Sequence, residues 1–152
     1  MTERSAASSP ETVTYRANAD RNVVVGLREA LREWLDSSVD ISAERVCDIV
    51  LATDEALTNV SEHAYRDLPG AGAVTLDLSY DAPAATIEIQ VTDQGHWREP
   101  APTPITATRG RGLILMKKLA DACTVDGRVD GTSVSLLFYR CHGLTRAQRR
   151  LR

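Results

Sequence analysis

The sequence predicts an α+β fold, a two-layer sandwich in which helices cover one face of a mostly antiparallel mixed sheet. The chain has 152 residues, of which 43% are hydrophobic and 26% are charged, a balance typical of one globular domain. Apolar residues recur at helical spacing in some segments and alternate with polar residues in others. Because the predicted helices are grouped along the chain, they are expected to pack together on a single face of the sheet.

The first part of the domain is predicted to contain one strand and two helices. A short strand is expected over about 12–17, and Asp20 suits the N-cap of a helix that ends near Ser37. Ser42 is the expected cap of a second helix over about 43–65. The apolar stripe of the first helix consists of Val23, Val24, Leu27, Ala30, Leu31, Trp34 and Leu35.

The second part is predicted to contain two strand pairs separated by a loop and a helix. The loop, over about 94–109, contains three prolines, and loops of this length inside a compact domain are usually functional. The elements are expected over 73–80 and 85–92 (strands), 113–121 (helix), and 123–128 and 132–140 (strands).

Composition and charge divide the chain into three parts. Residues 1–11 are rich in Ser, Ala and Thr and are predicted to be a disordered tail, which is followed by the domain over 12–139 and a basic C-terminal tail over 140–152. The basic tail holds five arginines and no acidic residue, although the whole chain has a net charge of −3. The domain itself is therefore acidic, which argues against a general nucleic-acid binder. The tail is expected to be solvated, or alternatively to touch RNA, a partner or the domain itself.

Neither a membrane segment nor a metal-binding cysteine motif is predicted. No apolar run approaches the roughly 18–20 residues that a membrane helix needs, and the N-terminus has no apolar signal segment. Cys47, Cys123 and Cys141 are scattered and form no CxxC pair, so they are expected to be free thiols in a reducing compartment. These features predict a soluble cytoplasmic protein.

A polar stripe interrupts the second helix. Glu55, Asn59 and His63 stand four residues apart and therefore lie along one side of a helix. Asparagine is a poor residue inside helices, so Asn59 needs a local reason, and its side-chain oxygen suits Mg²⁺. A carboxylate one turn earlier can act as a general base. The alternative is that Glu55 and Asn59 belong to a solvated helix face.

Three further short segments are candidates for ligand contacts. Asp93-Gln94-Gly95 at a strand end can present a carboxylate to an amine such as that of adenine, or it is a plain β-turn. Arg109-Gly110-Arg111-Gly112 precedes a helix and can bind a phosphate through backbone N–H groups, or it is a flexible loop end. Gly131-Thr132 begins the last strand, from which the hydroxyl of Thr132 can reach Asp93.

These segments in their order resemble the GHKL, or histidine-kinase-like, ATPase family. The matching stretches are 55–65, 93–95, 109–116 and 131–136, and the resemblance covers about residues 12–139. Within the family, the sequence is most similar to the small RsbW-type anti-sigma factor kinases of bacteria. The resemblance implies the Bergerat-type ATP-binding fold.

The resemblance also implies roles for individual residues in binding ATP and Mg²⁺. Glu55 would be the general base, Asn59 the Mg²⁺ ligand, and Asp93 the residue that binds the adenine amine. The arginines before the third helix add positive charge by our own inference from their position. The other residues implied to bind the nucleotide are Gly95, Arg109, Gly110, Arg111, Gly112 and Thr132.

The function implied is that of an anti-sigma factor that is also a serine/threonine kinase. Its substrate would be a STAS-type antagonist protein, and its other partner would be a sigma factor. The protein would form a homodimer. One position departs from the family pattern, since Trp97 stands where the first glycine box has its second glycine. That departure motivates the alternative of a non-catalytic, nucleotide-gated protein-binding module with the same fold.

Overall fold

The computed structural model describes residues 10–64, 72–95 and 111–152. Residues 1–9 of the tail predicted over 1–11 and most of the predicted loop, including Trp97, lie outside these residues, whereas Glu11 begins the first strand. The main sheet contains β1 (Glu11–Asn18), β3 (Ala73–Asp81), β4 (Thr86–Asp93), β5 (Ala122–Arg128) and β6 (Gly131–Phe138). The helices are α1 (Arg21–Ser38), α2 (Ala43–Asn59), α3 (Gly112–Leu119) and α4 (Arg146–Arg150), and a short second sheet joins β2 (Val39–Asp40) to β7 (His142–Gly143).

The five-stranded sheet has the order β1-β3-β4-β6-β5. Each of its four strand pairings is antiparallel, so the parallel part of the predicted mixed sheet does not occur among the described strands. The central strands β4 and β6 are paired so that Asp93 lies opposite Thr132 at one end and Ile87 lies opposite Phe138 at the other. The fold prediction, an α+β sandwich with helices on one face, is confirmed.

The core lies between the inner face of the sheet and helices α1, α2 and α3. Successive residues of β3, β4 and β6 alternate between buried and partly exposed, as the pleat of a half-covered sheet requires. The fully buried strand side chains include Leu76, Leu78, Ile87, Ile89, Leu136 and Phe138. The outer face carries polar residues such as Thr75, Gln90 and Ser133.

Helix α2 begins where the sequence predicts and changes its winding before the predicted end. The Ser42 side chain accepts a hydrogen bond from the backbone N–H of Arg45, which fixes the N-terminus of the helix. After Asn59 the chain continues as a π-helical turn over Val60–Ala64. Such turns are rare and often occur at functional sites. Hydrophobic spacing cannot reveal this change, because it involves which carbonyl accepts each hydrogen bond.

The predicted basic tail, here the C-terminal arm (residues 140–152), packs on the domain. Cys141 is fully buried, and its backbone N–H donates to the carbonyl of Ala85 at 2.8 Å. Leu144 is also buried, and β7 pairs with β2 beside the end of α1. The arm is therefore part of the folded body, which differs from the solvated appendage that its charge suggests.

Polar contacts hold the end of the arm in place. Thr145 and Gln148 form a capping box that begins α4, and the Gln148 side chain also donates to Asp40 at 2.8 Å. Arg152 forms an ion pair with Asp36.

In the part of the chain that the structure describes, no helix combines the length and apolarity needed to cross a membrane.

We expect removal of residues 143–152 to destabilise the domain without changing its candidate site. The deletion exposes apolar surface that buried Leu144 covers, which costs about 2–5 kcal/mol and lowers the Tm by roughly 5–15 °C. Thermal unfolding by circular dichroism measures this. The control is Leu151→Ala, at a side chain 87% exposed, which should leave the Tm nearly unchanged. An unchanged Tm in the truncated chain would contradict a stabilising role for the arm.

Candidate functional site

Helices α2 and α3 bring three of the predicted site residues together. Gly112, the first residue of α3, lies so close to α2 that a Cβ atom there would be 2.8 Å from Oε2 of Glu55. The same atom would be 3.4 Å from Oδ1 of Asn59. Only a residue without a side chain allows this approach while the Glu55 carboxylate keeps its position. The N-terminus of α3 therefore faces the polar stripe of α2.

The start of α3 is suited to binding an anion. Arg111 stands at the N-cap with backbone angles φ −92° and ψ −2°, and its side chain makes no capping hydrogen bond. The first N–H groups of a helix have no partner within it and carry partial positive charge. A phosphate placed between this helix end and Asn59 would accept hydrogen bonds from these groups.

The Glu55 carboxyl lies in an environment that favours its neutral form. Partial burial raises its pKa above the ordinary value, and the negative charges of Asp54 and Glu62 raise it further. A carboxylate with a raised pKa accepts a proton more readily, which suits a general base. Asp54, the neighbouring carboxylate, is held by Arg28 and faces α1, so it does not compete for the same role.

A second group of predicted site residues meets at the paired ends of β4 and β6. Asp93 and Thr132 lie opposite each other and are 6% and 7% exposed. Oδ1 of Asp93 accepts a hydrogen bond from the backbone N–H of Gly95 at 2.9 Å. A Cβ atom at Gly131 would be 2.4 Å from the Asp93 carbonyl oxygen, so this glycine permits the strands to meet. Helix α2 packs against both strands.

The side chain of Asp93 is a buried carboxyl group that accepts hydrogen bonds from backbone N–H groups. Burial raises its pKa, and the backbone N–H groups of Gly95 and Thr132 partly offset that rise. The predicted partner of Asp93 is the Thr132 hydroxyl, whereas the contact in the structure is made by the Thr132 backbone N–H. An acceptor at this depth can bind a ligand amine strongly, because little water competes with the ligand.

Several of the predicted site residues are not part of these two groups. Arg109 and Gly110 lie outside the described residues, as does the His63 side chain. No cluster of three or more histidine, cysteine or acidic side chains suited to a metal occurs in residues 10–64, 72–95 and 111–152. Sequence reasoning missed Arg28, which stands 26 residues before its partner Asp54. No local signal marks a pairing over that distance.

Comparisons with known proteins identify a family and a similar fold. The sequence model that describes the histidine kinase-like ATPase domain matches residues 17–138. A search of curated proteins finds no significant match. The fold is similar to a crystal structure of the RsbU and RsbW domains of Rv1364c from Mycobacterium tuberculosis, with a TM-score of 0.62 and 23% identity. That likeness covers 88% of this chain and 33% of the other, and at this identity it establishes the fold alone.

The burial of Asp93 predicts how its contribution to stability changes with pH. Because its pKa is raised in the folded state, its stabilising contribution is present below the unfolded pKa of about 4 and is lost as pH rises through the folded value. We expect Asp93→Asn to gain stability relative to the wild type between about pH 4 and pH 7. Urea unfolding at several pH values measures this difference.

The matched control is Asp130→Asn, at an exposed turn position. Its stability relative to the wild type should change little over the same range. A constant difference between Asp93→Asn and the wild type would contradict the raised pKa of Asp93.

Proposed function

This chain belongs to the histidine kinase-like ATPase family, a family of ATP-binding domains, and from that premise we propose that it is an anti-sigma factor with serine/threonine kinase activity. It would bind Mg·ATP and transfer the γ-phosphoryl group to a Ser or Thr of a STAS-type antagonist protein. The observation that carries the proposal is the contact of Gly112 with Glu55 and Asn59. It places a carboxylate, an amide oxygen and a helix N-terminus around one space.

The residues at this space fit a magnesium nucleotide. Mg²⁺ is usually bound by one or two side-chain oxygens together with substrate phosphates, so Asn59 Oδ1 is a suitable ligand. The bound ion would neutralise negative charge on the transferring phosphoryl group. The N-terminal turn of α3 would bind phosphate oxygens, with Arg111 adding positive charge nearby. The carboxylate of Asp93 would accept a hydrogen bond from the adenine amine.

Glu55 performs the proton transfer in this scheme. Its carboxylate accepts the proton of the substrate hydroxyl while that oxygen forms a bond to the γ-phosphorus. The bond between the γ-phosphorus and the bridging oxygen breaks, and ADP leaves with the electron pair. Catalysis of this kind depends mainly on positioning and on charge neutralisation, which the contact between α2 and α3 would supply.

Phosphorylation would act as a switch between partners. A phosphate adds about −1.5 to −2 charges to the antagonist, and this weakens a docking surface built for the neutral hydroxyl. The released protein, proposed to be a homodimer, would then bind a sigma factor. The fold likeness to a structure that contains an RsbW domain supports this direction.

We expect Glu55→Gln to retain Mg·ATP binding and to lose phosphoryl transfer. Transfer should fall by roughly 10²–10⁴-fold, the usual share of general-base catalysis, which corresponds to about 3–5 kcal/mol of barrier. Asn59→Ala should lose both transfer and the Mg²⁺ dependence of ATP binding, because the metal ligand is removed. Calorimetry and labelled-phosphate transfer to a purified antagonist measure the two quantities.

The control for both variants is Glu44→Gln, at an exposed position in the first turn of the same helix. It removes one carboxylate about three helical turns before Glu55 and should behave as wild type. If the wild type binds ATP and transfers nothing to any antagonist, the non-catalytic binding module replaces the kinase. If Glu55→Gln transfers at the wild-type rate, another group is the base.

The role of Asp93 predicts a preference for ATP over GTP. Guanine carries a carbonyl oxygen where adenine has its amine, so two acceptors would face each other and remain unpaired. The cost of about 1–3 kcal/mol corresponds to roughly 5- to 150-fold weaker binding. Asp93→Asn should weaken ATP binding and narrow the difference between the nucleotides. Equal affinities for ATP and GTP in the wild type would overturn the assignment.

Gly112→Ala tests the contact between the helices directly. The new methyl group would push the Glu55 carboxylate aside, because that flexible side chain yields more easily than the backbone. We expect roughly 10–100-fold slower transfer with a nearly unchanged Tm, since small misplacements of reacting groups are costly. In Gly26→Ala the added methyl meets no atom within 4 Å, so this control should keep full transfer. Equal transfer rates in both variants would contradict the proposal that Glu55, Asn59 and the N-terminus of α3 surround one ligand space.

A further inference from the structure

Arg28 of α1 forms an ion pair with Asp54, the residue directly before the proposed base. Its Nε and Nη2 atoms donate to Oδ1 of Asp54 at 3.0 and 2.7 Å. The two side chains are 35% and 25% exposed, so water screens the pair only in part. Both donors of one guanidinium converge on a single oxygen, which fixes the direction in which the Asp54 carboxylate points.

Asp54 directly precedes Glu55 in α2, so its charge lies close to the proposed phosphate space. The effect of that charge already reaches Glu55, whose pKa it helps to raise. An uncompensated carboxylate at this point would repel the phosphates of a nucleotide and could also turn toward them. Arg28 supplies the compensating positive charge from the neighbouring helix.

We propose that Arg28 is a positioning residue of the nucleotide site, which neutralises Asp54 and holds its carboxylate toward α1 and away from the phosphates. The inference rests on the proposed nucleotide site and extends it to a residue on a different helix. Arg28 touches neither the base nor the proposed metal ligand in this arrangement. Its effect passes through the charge and direction of Asp54.

The alternative is that Arg28 only joins α1 to α2. A double-variant test separates the two roles, because removing both charges abolishes the repulsion but does not restore the link between the helices. The variants are Arg28→Ala, Asp54→Asn and the double variant that carries both substitutions. Arg32→Ala is the matched control, since it removes an exposed arginine one turn further along the same helix.

The measurements are Mg·ATP affinity by calorimetry, at low and high salt, and the Tm of each variant. We expect Arg28→Ala to bind Mg·ATP about three- to tenfold more weakly at low salt. The repulsion between one uncompensated carboxylate and nearby phosphates has an effect of about this size on affinity. The defect should shrink at about 0.5 M salt, because salt screens it. The double variant should return to within about twofold of the wild type, since it carries no uncompensated charge.

Each outcome bears on one claim. If the double variant binds Mg·ATP as weakly as Arg28→Ala, or more weakly, the positioning role is wrong and Arg28 only joins α1 to α2. Equal losses in Arg28→Ala and Arg32→Ala also overturn it, because the effect is then one of overall charge. A wild-type protein that binds no Mg·ATP refutes the proposed function itself, and this result is distinguishable because it appears before any variant is compared.

Discussion

The approach of α3 to α2 is the constraint on which the candidate site depends. Helix α2 must bury an apolar face against the sheet and, on another side, hold Glu55 and Asn59 where a ligand can reach them. Gly112 lets the start of α3 come against these two side chains without displacing them. A larger residue would occupy the space that the site needs. The packing of two helices and the shape of the site are therefore one property of the fold.

The far end of α3 is fixed by a different interaction. Arg45, in the first turn of α2, pairs with Asp121 just after α3 and lies over the ring of Phe138 at 5.2 Å. Asp121 also accepts the backbone N–H of Tyr139 at 2.7 Å, which ties the end of β6 to the same point. With one end held by this cluster, the short helix has a defined register along α2. The position of Gly112 follows from that register.

The sequence indicates the parts of this structure that depend on local pattern. Periodicity predicts α1, α2, α3 and the five strands of the main sheet within a few residues, but not β2, β7 or α4. The polar interruption at Asn59 predicts the side of α2 that carries the candidate site. The pairing of Arg28 with Asp54, the docking of the C-terminal arm and the contact at Gly131 join residues far apart in the chain. Charge alone suggested a solvated arm, because burial of Cys141 and Leu144 depends on partners that only the fold supplies.

The two candidate carboxylates show how the domain separates stability from function. Burial raises the pKa of both Asp93 and Glu55, so keeping each of them ionised near neutral pH costs folding free energy. Asp93 lies at the end of the sheet where β4 stops and β6 begins. The C-terminal arm packs at the opposite end, beside Ala85 and the end of β6, where apolar burial offsets such costs. Since β4 has eight residues, about 25 Å separates the two ends, and the arm can stabilise the domain without restricting access to the site.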